Sequence, residues 1–457
     1  MTAEDRSKMV RAELLIRGGT FFGMKDGSSP KPASVAISGG RILSILPPDT
    51  DAEADFVFDA TDLYVTPGFV DSHIHDEYYA DPDTVQQALI RQGVTTAVAG
   101  HCGSGPNFFK SRAERTKPWL HLSYMVGNCM LREEIGHKDR YTPATPEEVE
   151  KMKALLRESL AGGAMGLSLG LEYAPGATYD EIKALAGVVA AFDDRLITVH
   201  IRYDDDRCVR AVEEVIRLAR ETGVRLQVSH LGSMTMYNTQ TCMDVIDAAM
   251  KEGLDVCFDC YPYDAFCAKA GSAVYDDGFV ERWRGKGPEA LEAVSGQFKG
   301  QRLTFETLAK MRTEEPMDLI VAHVMDKEEV ENCLAHPKCI VASDALYTGG
   351  GAHPRIAGTF PRALRILRER GYTWQDALAK MTTMPADRIR LENAGRLAKG
   401  SIADVIVFNP ETFVDNATFQ EPFAPPTGLE LVVVGGKVTL RDGKFSPEPV
   451  GDFYERK

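Results

Sequence analysis

Between about residue 67 and residue 390 the sequence alternates short apolar runs with amphipathic segments, and this alternation limits the fold more than any other feature. A parallel sheet or barrel with helical crossovers produces this pattern, because each buried strand is followed by a helix that packs on it. Thr145 and Thr178 carry start signals for two of the helices, each with a glutamate three residues later. The strand candidates are residues 68–75, 94–99, 120–126, 165–169, 196–200, 225–230, 254–258 and 339–344. Eight βα units fit an α/β (β/α)8 TIM barrel better than an open sheet.

Both ends of the chain contain short strand-like segments punctuated by glycine, at 13–17, 34–37, 403–408 and 431–438. They predict one small β-sandwich-like domain built from both chain ends. The predicted boundaries are 1–66 and 391–457 for the two parts of this domain and 67–390 for the barrel. Residues from about 268 to 336 are too many for one crossover and include a ninth strand-like run at 317–324. We therefore predict an insertion over the barrel mouth, and it is a candidate lid.

Two histidines close the first strand candidate, and potential metal ligands follow at the ends of later strands. His73 and His75 are separated by one residue, so both imidazoles leave the same face of an extended strand. Taken singly, a histidine at the end of a strand is more often a structural residue than a metal ligand, and Asp344 fits the N-cap position of a helix. The other strand-end candidates are Cys102 with its neighbour His101, then His200 and His230. Because the carboxyl ends of barrel strands meet on one face, the joint pattern predicts a metal site there.

The composition excludes several functional classes. A formal net charge of -15 argues against sequence-independent binding to nucleic acid or to an anionic membrane, so a carboxylate substrate would need a local arginine. The absence of a long apolar run and of a signal-like N-terminus predicts a cytoplasmic protein. The nine cysteines are scattered and odd in number, which argues against a disulfide framework. Cys257 and Cys260 are predicted to be buried structural thiols.

Ordered motifs over nearly the whole length resemble the amidohydrolase superfamily, and within it the D-aminoacylase (N-acyl-D-amino-acid deacylase) branch. The motifs are PGFVDSHIHD at 67–76, GHCG at 100–103, GLSLGLEYAP at 166–175, TVHIR at 198–202, VSH at 228–230, YPY at 261–263, ASDA at 342–345, HPR at 353–355, GTFPR at 358–362 and GRLAKGSIAD at 395–404. The resemblance implies that Cys102, His200 and His230 hold a tightly bound zinc. It also implies a second, weaker metal position at His73 and His75, with Asp344 as the catalytic acid and base.

Two segments depart from the family pattern. Relatives more often carry asparagine where this chain has His101, and the segment after Cys102 is short. Where relatives tend to read GHGxLR, this chain reads GNCMLR at 127–132. These differences leave the metal ligands intact and fall in the region expected to shape the substrate pocket. The remaining histidines are predicted to be background: His101, His121, His137, His323, His336 and His353.

The implied reaction is hydrolysis of a small-molecule N-acyl amino acid at its amide bond. Arg355 lies close after Asp344 and is predicted to bind the substrate carboxylate in a forked geometry. Tyr173 and Tyr263, within the motifs above, are the other predicted substrate-binding residues. Hydantoinase-like and dihydroorotase-like cyclic-amide hydrolases are a rival class, but they use a carboxylated lysine on the fourth strand, and residues 166–173 contain no lysine. A nucleobase aminohydrolase and a non-catalytic scaffold are further alternatives, and a homo-oligomer is left open.

Overall fold

A computed structural model describes residues 11–24, 29–50, 52–77, 83–106 and 117–456. All eight predicted strands are present, and we refer to them as central strands 1 to 8. In chain order they are Phe69–His75, Val94–Ala99, His121–Tyr124 continued by Val126–Gly127, Gly166–Gly170, Leu196–His200, Arg225–Val228, Val256–Cys260, and Cys339–Val341 continued by Ala345–Thr348. The short N-terminal sequence used to exclude a signal segment, and residues 107–116 after Cys102, lie outside the described residues.

The central strands are parallel and follow one another in chain order. Strands 3, 2, 1 and 8 form one sheet, and strands 3 to 8 form a second sheet, so strands 3 and 8 take part in both. Strand 8 joins strand 1 through the pairing of Ala345 with Ile74. This is the order of a TIM-barrel-type fold, and it brings the carboxyl ends of all central strands to one face.

Helices lie between and after the central strands, and two of them, Phe279–Arg282 and Phe305–Glu314, belong to the long connection between strands 7 and 8. Their bounds are Asp83–Ile90, Asn128–Glu134, Pro146–Ala161, Tyr179–Val189, Cys208–Thr222, Leu231–Thr235, Thr239–Lys251, Phe279–Arg282, Phe305–Glu314, Lys327–Ala335, Arg355–Glu369, Trp374–Ala379 and Thr383–Arg388. Apolar residues of these helices and of the strands share one large buried core. Among the described residues, no helix combines the length and the apolar character needed to cross a membrane.

The two predicted helix start signals differ in the structure. Thr145 forms a complete capping box with Glu148, because each side chain bonds to the other residue's backbone N–H. The Thr178 side chain also accepts a hydrogen bond from the backbone N–H of Glu181. The Glu181 carboxylate, however, accepts hydrogen bonds from Nε and Nη2 of Arg132 at 2.8 and 2.6 Å. The Glu181 carboxylate therefore forms a buried ion pair with Arg132 in place of the expected capping bond to the Thr178 backbone N–H.

Strands from both chain ends lie in one seven-stranded sheet. In spatial order these are Lys444–Phe445, Lys437–Arg441, Leu429–Val434, Val405–Phe408, Tyr64–Pro67, Thr20–Phe21 and Lys31–Pro32. A four-stranded sheet accompanies it, in the order Arg41–Leu46, Ser34–Ser38, Arg11–Arg17 and Glu53–Asp59. Side chains of both sheets share a buried apolar cluster that includes Ile16, Val35, Val405 and Val433.

The connection between central strands 7 and 8 contains a small antiparallel sheet. Its strands are Phe266–Lys269, Leu319–Ala322 and Leu291–Ala293, with Leu319–Ala322 in the middle. The expected ninth strand is therefore present, and the sheet begins at Phe266, slightly before the predicted start of the insertion. Trp283 of this segment is fully buried, and its Nε1 donates to Asp204 at 2.8 Å, which ties the segment to the loop after strand 5.

Candidate metal centre and active site

Buried nitrogen, sulfur and oxygen atoms converge at the carboxyl ends of the central strands. Cys102 Sγ lies 3.3 Å from His230 Nε2 and 3.5 Å from His73 Nε2. His200 Nδ1 lies 3.1 Å from His230 Nε2. The Asp344 Oδ1 atom lies 3.4 Å from His73 Nε2 and 3.2 Å from His75 Nε2. The predicted metal ligands are thus brought together.

The donor atoms form two groups, each spanning no more than 4.8 Å between donors. One group is Cys102, His200 and His230; the other is His73, His75, Cys102 and Asp344. Cys102 belongs to both. In the first group, one thiolate and two imidazoles offer three ligands of types that zinc accepts. A catalytic zinc site has three such ligands and keeps a further position for water or substrate. The residues of this group therefore fit zinc.

Each of the four histidines has a polar partner on its other ring nitrogen. At His75 and His200 the partner is a hydrogen-bonded carboxylate, and a ring nitrogen that donates to a carboxylate leaves the second nitrogen as the acceptor. His200 turns Nδ1 toward the other donor atoms, and the other three histidines turn Nε2 toward them. The pairs are His73 Nδ1 with Asp259 Oδ1 at 3.3 Å, His75 Nδ1 with Glu77 Oε1 at 2.8 Å, His200 Nε2 with Glu172 Oε2 at 2.8 Å, and His230 Nδ1 with Ser233 Oγ at 3.1 Å.

The local charges favour the ionised forms of Cys102 and Asp344. Burial acts to raise the pKa of the Cys102 thiol, but His73 and His230 hold that pKa well below its usual value. Burial likewise acts to raise the pKa of Asp344, and the Arg355 guanidinium and His73 hold it below its usual range. Arg355 Nη1 lies 2.9 Å from Asp344 Oδ2. These charges therefore favour a thiolate at Cys102 and an ionised carboxylate at Asp344.

Two cavities of about 690 and 20 Å³ border the metal ligands. Tyr173 and Arg355, both predicted to bind substrate, line both cavities. Burial raises the pKa of Tyr173, so its hydroxyl stays protonated and can donate a hydrogen bond. Arg355 is 1% exposed; its Nη1 pairs with Asp344, and its Nε has no hydrogen-bond partner among the described residues. Buried donors of this kind are suited to a carboxylate.

Tyr263 is the predicted substrate-binding residue that does not line either of these cavities. Its hydroxyl donates to the Pro354 carbonyl at 3.2 Å, and Arg362 stacks over its ring at 4.2 Å. The ring is therefore held against the start of helix Arg355–Glu369. Tyr261, two residues earlier in the same motif, lines the narrow cavity, and Arg355 lies 4.8 Å from its ring centroid. The role of Tyr263 in substrate binding stays a prediction, and Tyr261 is a further candidate from the same motif.

The sequence alone did not identify the side chains that contact the histidines, and it placed His101 among the background histidines. Glu77 and Glu172 each follow a central strand by two residues, and this position is the signal that could have singled them out. His101 stacks on His73 with ring centroids 4.1 Å apart, so it packs directly against a candidate metal ligand. The other background histidines have carboxylate or backbone partners away from the ligands. They are His121 with Asp404, His137 with Glu148, His323 with Glu292, His336 with Asp247, and His353, whose Nδ1 accepts from the Arg355 N–H.

A family model described as "Amidohydrolase family" matches residues 57–440. The chain belongs to the amidohydrolase family. It is 32% identical to an N-acyl-D-glutamate deacylase of Alcaligenes xylosoxydans xylosoxydans, with 96% of each chain covered. These matches confirm the resemblance inferred from the motifs.

Two solved structures have similar folds. A D-aminoacylase studied for its binuclear metal centre matches with a TM-score of 0.85 and 27% identity, over 97% of this amidohydrolase and 100% of that chain. The N-acyl-D-glutamate deacylase of Bordetella bronchiseptica, in complex with zinc and a phosphonate inhibitor, matches with a TM-score of 0.86 and 28% identity, over 98% and 100%. The TIM-barrel-type fold of this amidohydrolase is therefore shared with both.

Proposed function

We propose that this amidohydrolase is a zinc-dependent deacylase that hydrolyses N-acyl-D-amino acids to a carboxylate and a free D-amino acid. The observation that carries the proposal is the buried group Cys102, His200 and His230 beside the Asp344–Arg355 ion pair. This arrangement supplies metal ligands, an ionised carboxylate and a cation in one place. The near full-length similarity to deacylases of N-acyl-D-amino acids supports the same substrate class.

Cys102, His200 and His230 are proposed to hold the tight zinc, and His73, His75 and Asp344 a second, weaker position that shares Cys102. When bound, the metal supplies Lewis-acid activation of water and of the amide carbonyl. The partners Glu172 and Ser233 orient the two histidines of the tight group. Ligands that are already oriented require little rearrangement when the metal binds.

Asp344 is proposed to be the acid and base. As the water oxygen bonds to the carbonyl carbon, the Asp344 carboxylate accepts the water's proton. Asp344 then donates this proton to the amide nitrogen as the C–N bond breaks, because an amide anion is a very poor leaving group. Arg355 stabilises the carboxylate form before the reaction and lies close enough, at 2.9 Å, to hold its orientation.

Arg355 and Tyr173 are proposed to fix the α-carboxylate of the substrate. Two contacts, one at the carboxylate and one at the scissile carbonyl, leave a single direction for the amino-acid side chain, so one enantiomer is preferred. A panel of N-acetyl-D-amino acids, their L-forms and cyclic amides, assayed with enzyme of known zinc content, tests the assignment. Faster cleavage of the L-forms or of cyclic amides would contradict it.

We also propose the finer architecture. The central strands form a closed (β/α)8 barrel over about 67–390, residues of about 268–336 form an insertion at the barrel mouth, and 1–66 with 391–457 form one small β-sandwich-like domain. The two sheets that share strands 3 and 8 support closure, and the seven-stranded sheet supports the small domain. The cytoplasmic location and the homo-oligomer stay predictions from the sequence.

A further inference from the structure

Asp259 contacts both candidate metal groups from behind, although it belongs to neither of them. Its Oδ1 atom accepts a hydrogen bond from the His230 backbone N–H at 2.7 Å, and the same atom lies 3.3 Å from His73 Nδ1. His230 is a member of the tight group, and His73 is a member of the second group. Asp259 is 1% exposed, so water cannot easily replace its carboxylate. The position of a single oxygen atom therefore affects a ligand in each group.

The two contacts act on the ligands in different ways. The hydrogen bond from the His230 N–H holds the backbone turn that carries this imidazole, where φ is 34°. The contact with His73 is made to the ring itself, and His73 Nδ1 has no hydrogen-bond partner among the described residues, so Asp259 is the acceptor available to it. An imidazole that binds metal through one nitrogen commonly donates its other N–H to a carboxylate, which fixes the ring and makes it a better ligand.

Gln227 fixes the Asp259 carboxylate through a hydrogen bond inside the barrel. Its Nε2 donates to Asp259 Oδ2 at 2.6 Å and to Ser72 Oγ at 3.3 Å. Gln227 of strand 6 pairs with Cys257 of strand 7, so Asp259, two residues further along, faces the same side. Gln227 is fully buried, where a hydrogen bond to a carboxylate is strong. One carboxylate oxygen is thus held by Gln227, while the other faces the ligands.

Three other side chains provide a comparison, because each pairs with a histidine of one group. These pairs are Glu172 with His200 and Ser233 with His230 in the tight group, and Glu77 with His75 in the second group. Loss of one of these side chains is expected to weaken the metal position that it supports. Loss of the Asp259 carboxylate is expected to weaken both positions, and this difference can be measured.

We propose that Asp259, fixed by Gln227, is a positioning residue shared by the two metal positions, so that one carboxylate sets the metal affinity of both. The inference rests on the proposed function, because it needs the two proposed metal positions. Neither Asp259 nor Gln227 lines the cavities beside the ligands, so both act on the reaction through the histidines.

Zinc titrations of two variants with nearly unchanged side-chain size test the shared role. Asp259→Asn removes the charge and places one amide against another at Gln227, so the zinc dissociation constants of both positions should rise by about tenfold or more. Gln227→Met removes the donor and should raise both constants by about three- to tenfold. The double variant should bind zinc about as weakly as Asp259→Asn alone, because Gln227 acts through Asp259. Competition with chelators of graded affinity measures the two constants separately.

Controls separate this role from a general loss of structure. Gln92 is also fully buried, and its Nε2 donates to the Ile356 carbonyl at 2.7 Å. Gln92→Met should therefore lower the thermal stability and leave both zinc dissociation constants unchanged. Ser233→Ala should weaken the tight position alone, and Glu77→Gln the second position alone.

Several results would overturn the inference. These are an effect of Asp259→Asn confined to one position, zinc binding within about twofold of the wild type at both positions, or an equal loss of affinity in Gln92→Met. A wild-type enzyme that takes up a single zinc would also overturn it, but would leave the proposed deacylase function intact. A wild-type enzyme that binds no zinc tightly and cleaves no N-acetyl-D-amino acid would contradict the proposed function itself.

Discussion

Glu172 is expected to control zinc affinity through His200, although it does not touch the metal position itself. Its Oε2 atom lies 2.8 Å from His200 Nε2, and this bond leaves His200 Nδ1 to face Cys102 and His230. The exposed fraction is 10% for the Glu172 side chain and 5% for His200, so water replaces the carboxylate poorly. Replacing Glu172 therefore removes both the charge and the orientation that favour metal binding through Nδ1.

The expected loss of zinc affinity follows from the strength of a hydrogen bond to a charged group. A hydrogen bond to a charged group contributes roughly 1.5–3 kcal/mol, which corresponds to about 10- to 150-fold in affinity. Partners behind metal-binding histidines change metal affinity by about 10- to 100-fold. Glu172→Gln keeps an acceptor oxygen but loses the charge, so zinc binding should weaken by about tenfold. Glu172→Ala removes the acceptor as well and should approach about 100-fold.

Zinc dissociation constants, measured by competition with a chromophoric chelator at pH 7, test this prediction. Glu214→Gln is the matched control, because Glu214 pairs with Arg202 at 2.9 Å and, among the described residues, has no hydrogen bond or ion pair with a proposed ligand. The control should bind zinc as the wild type does. If the folded Glu172→Ala variant binds zinc within about twofold of the wild type, an effect too small for a lost charged hydrogen bond, Glu172 does not hold His200 for the metal.

Three further substitutions address the ligands and the substrate. Cys102→Ala removes the donor common to both groups, and the purified protein should lose its tightly bound zinc, measured by elemental analysis. Asp344→Asn keeps the shape but removes the base, so kcat should fall by about 10²-fold or more while zinc is retained at the tight site. Arg355→Lys should raise KM and lower kcat/KM for N-acyl-D-amino acids in steady-state assays, because an ammonium cannot form two parallel hydrogen bonds to a carboxylate.

Each of these expectations has an outcome that contradicts it. Full zinc content with activity in Cys102→Ala would remove the thiolate from the ligand set. A small loss of rate with an unaltered pH profile in Asp344→Asn would leave that residue only a ligating role. For Arg355→Lys the control is Arg365→Lys on the exposed face of the same helix, paired with Glu369. Equal effects of the two substitutions would refute the role of Arg355.

The ends of the central strands could be predicted from the sequence. A buried strand, followed by a helix and then by a parallel strand, imposes a strong alternation of apolar and amphipathic segments. His73 and His75 follow from that pattern, since alternate residues of a strand share a face. The position of Glu172 after a strand marks it as a candidate, but its partner His200 and the pairing of Asp259 with His73 could not be read in this way. Only the tertiary fold shows which carboxylate lies behind which imidazole. The same reason explains Glu181, whose predicted capping bond is replaced by a pair with Arg132.

The choice between Tyr261 and Tyr263 shows a second limit. Both lie after the end of strand Val256–Cys260, where the alternation of faces no longer applies. Which ring points toward the metal ligands then depends on neighbours far away in the chain, here Pro354 and Arg362 for Tyr263. A sequence motif therefore predicts which loop carries a function more reliably than it predicts which residue of that loop does so.

The backbone at the ligands shows why these positions are not ordinary strand ends. Cys102, His230 and Asp344 have φ values of 53°, 34° and 50°, in the left-handed region that glycine adopts most easily. A non-glycine residue there costs roughly 1–2 kcal/mol. Hydrogen bonds hold two of the turns, from the His230 N–H to Asp259 at 2.7 Å and from the Asp344 N–H to the His73 carbonyl at 2.9 Å. Glycine would relieve the strain at each position but has no sulfur, nitrogen or carboxylate to offer, so the chemistry of the site requires the strained residues.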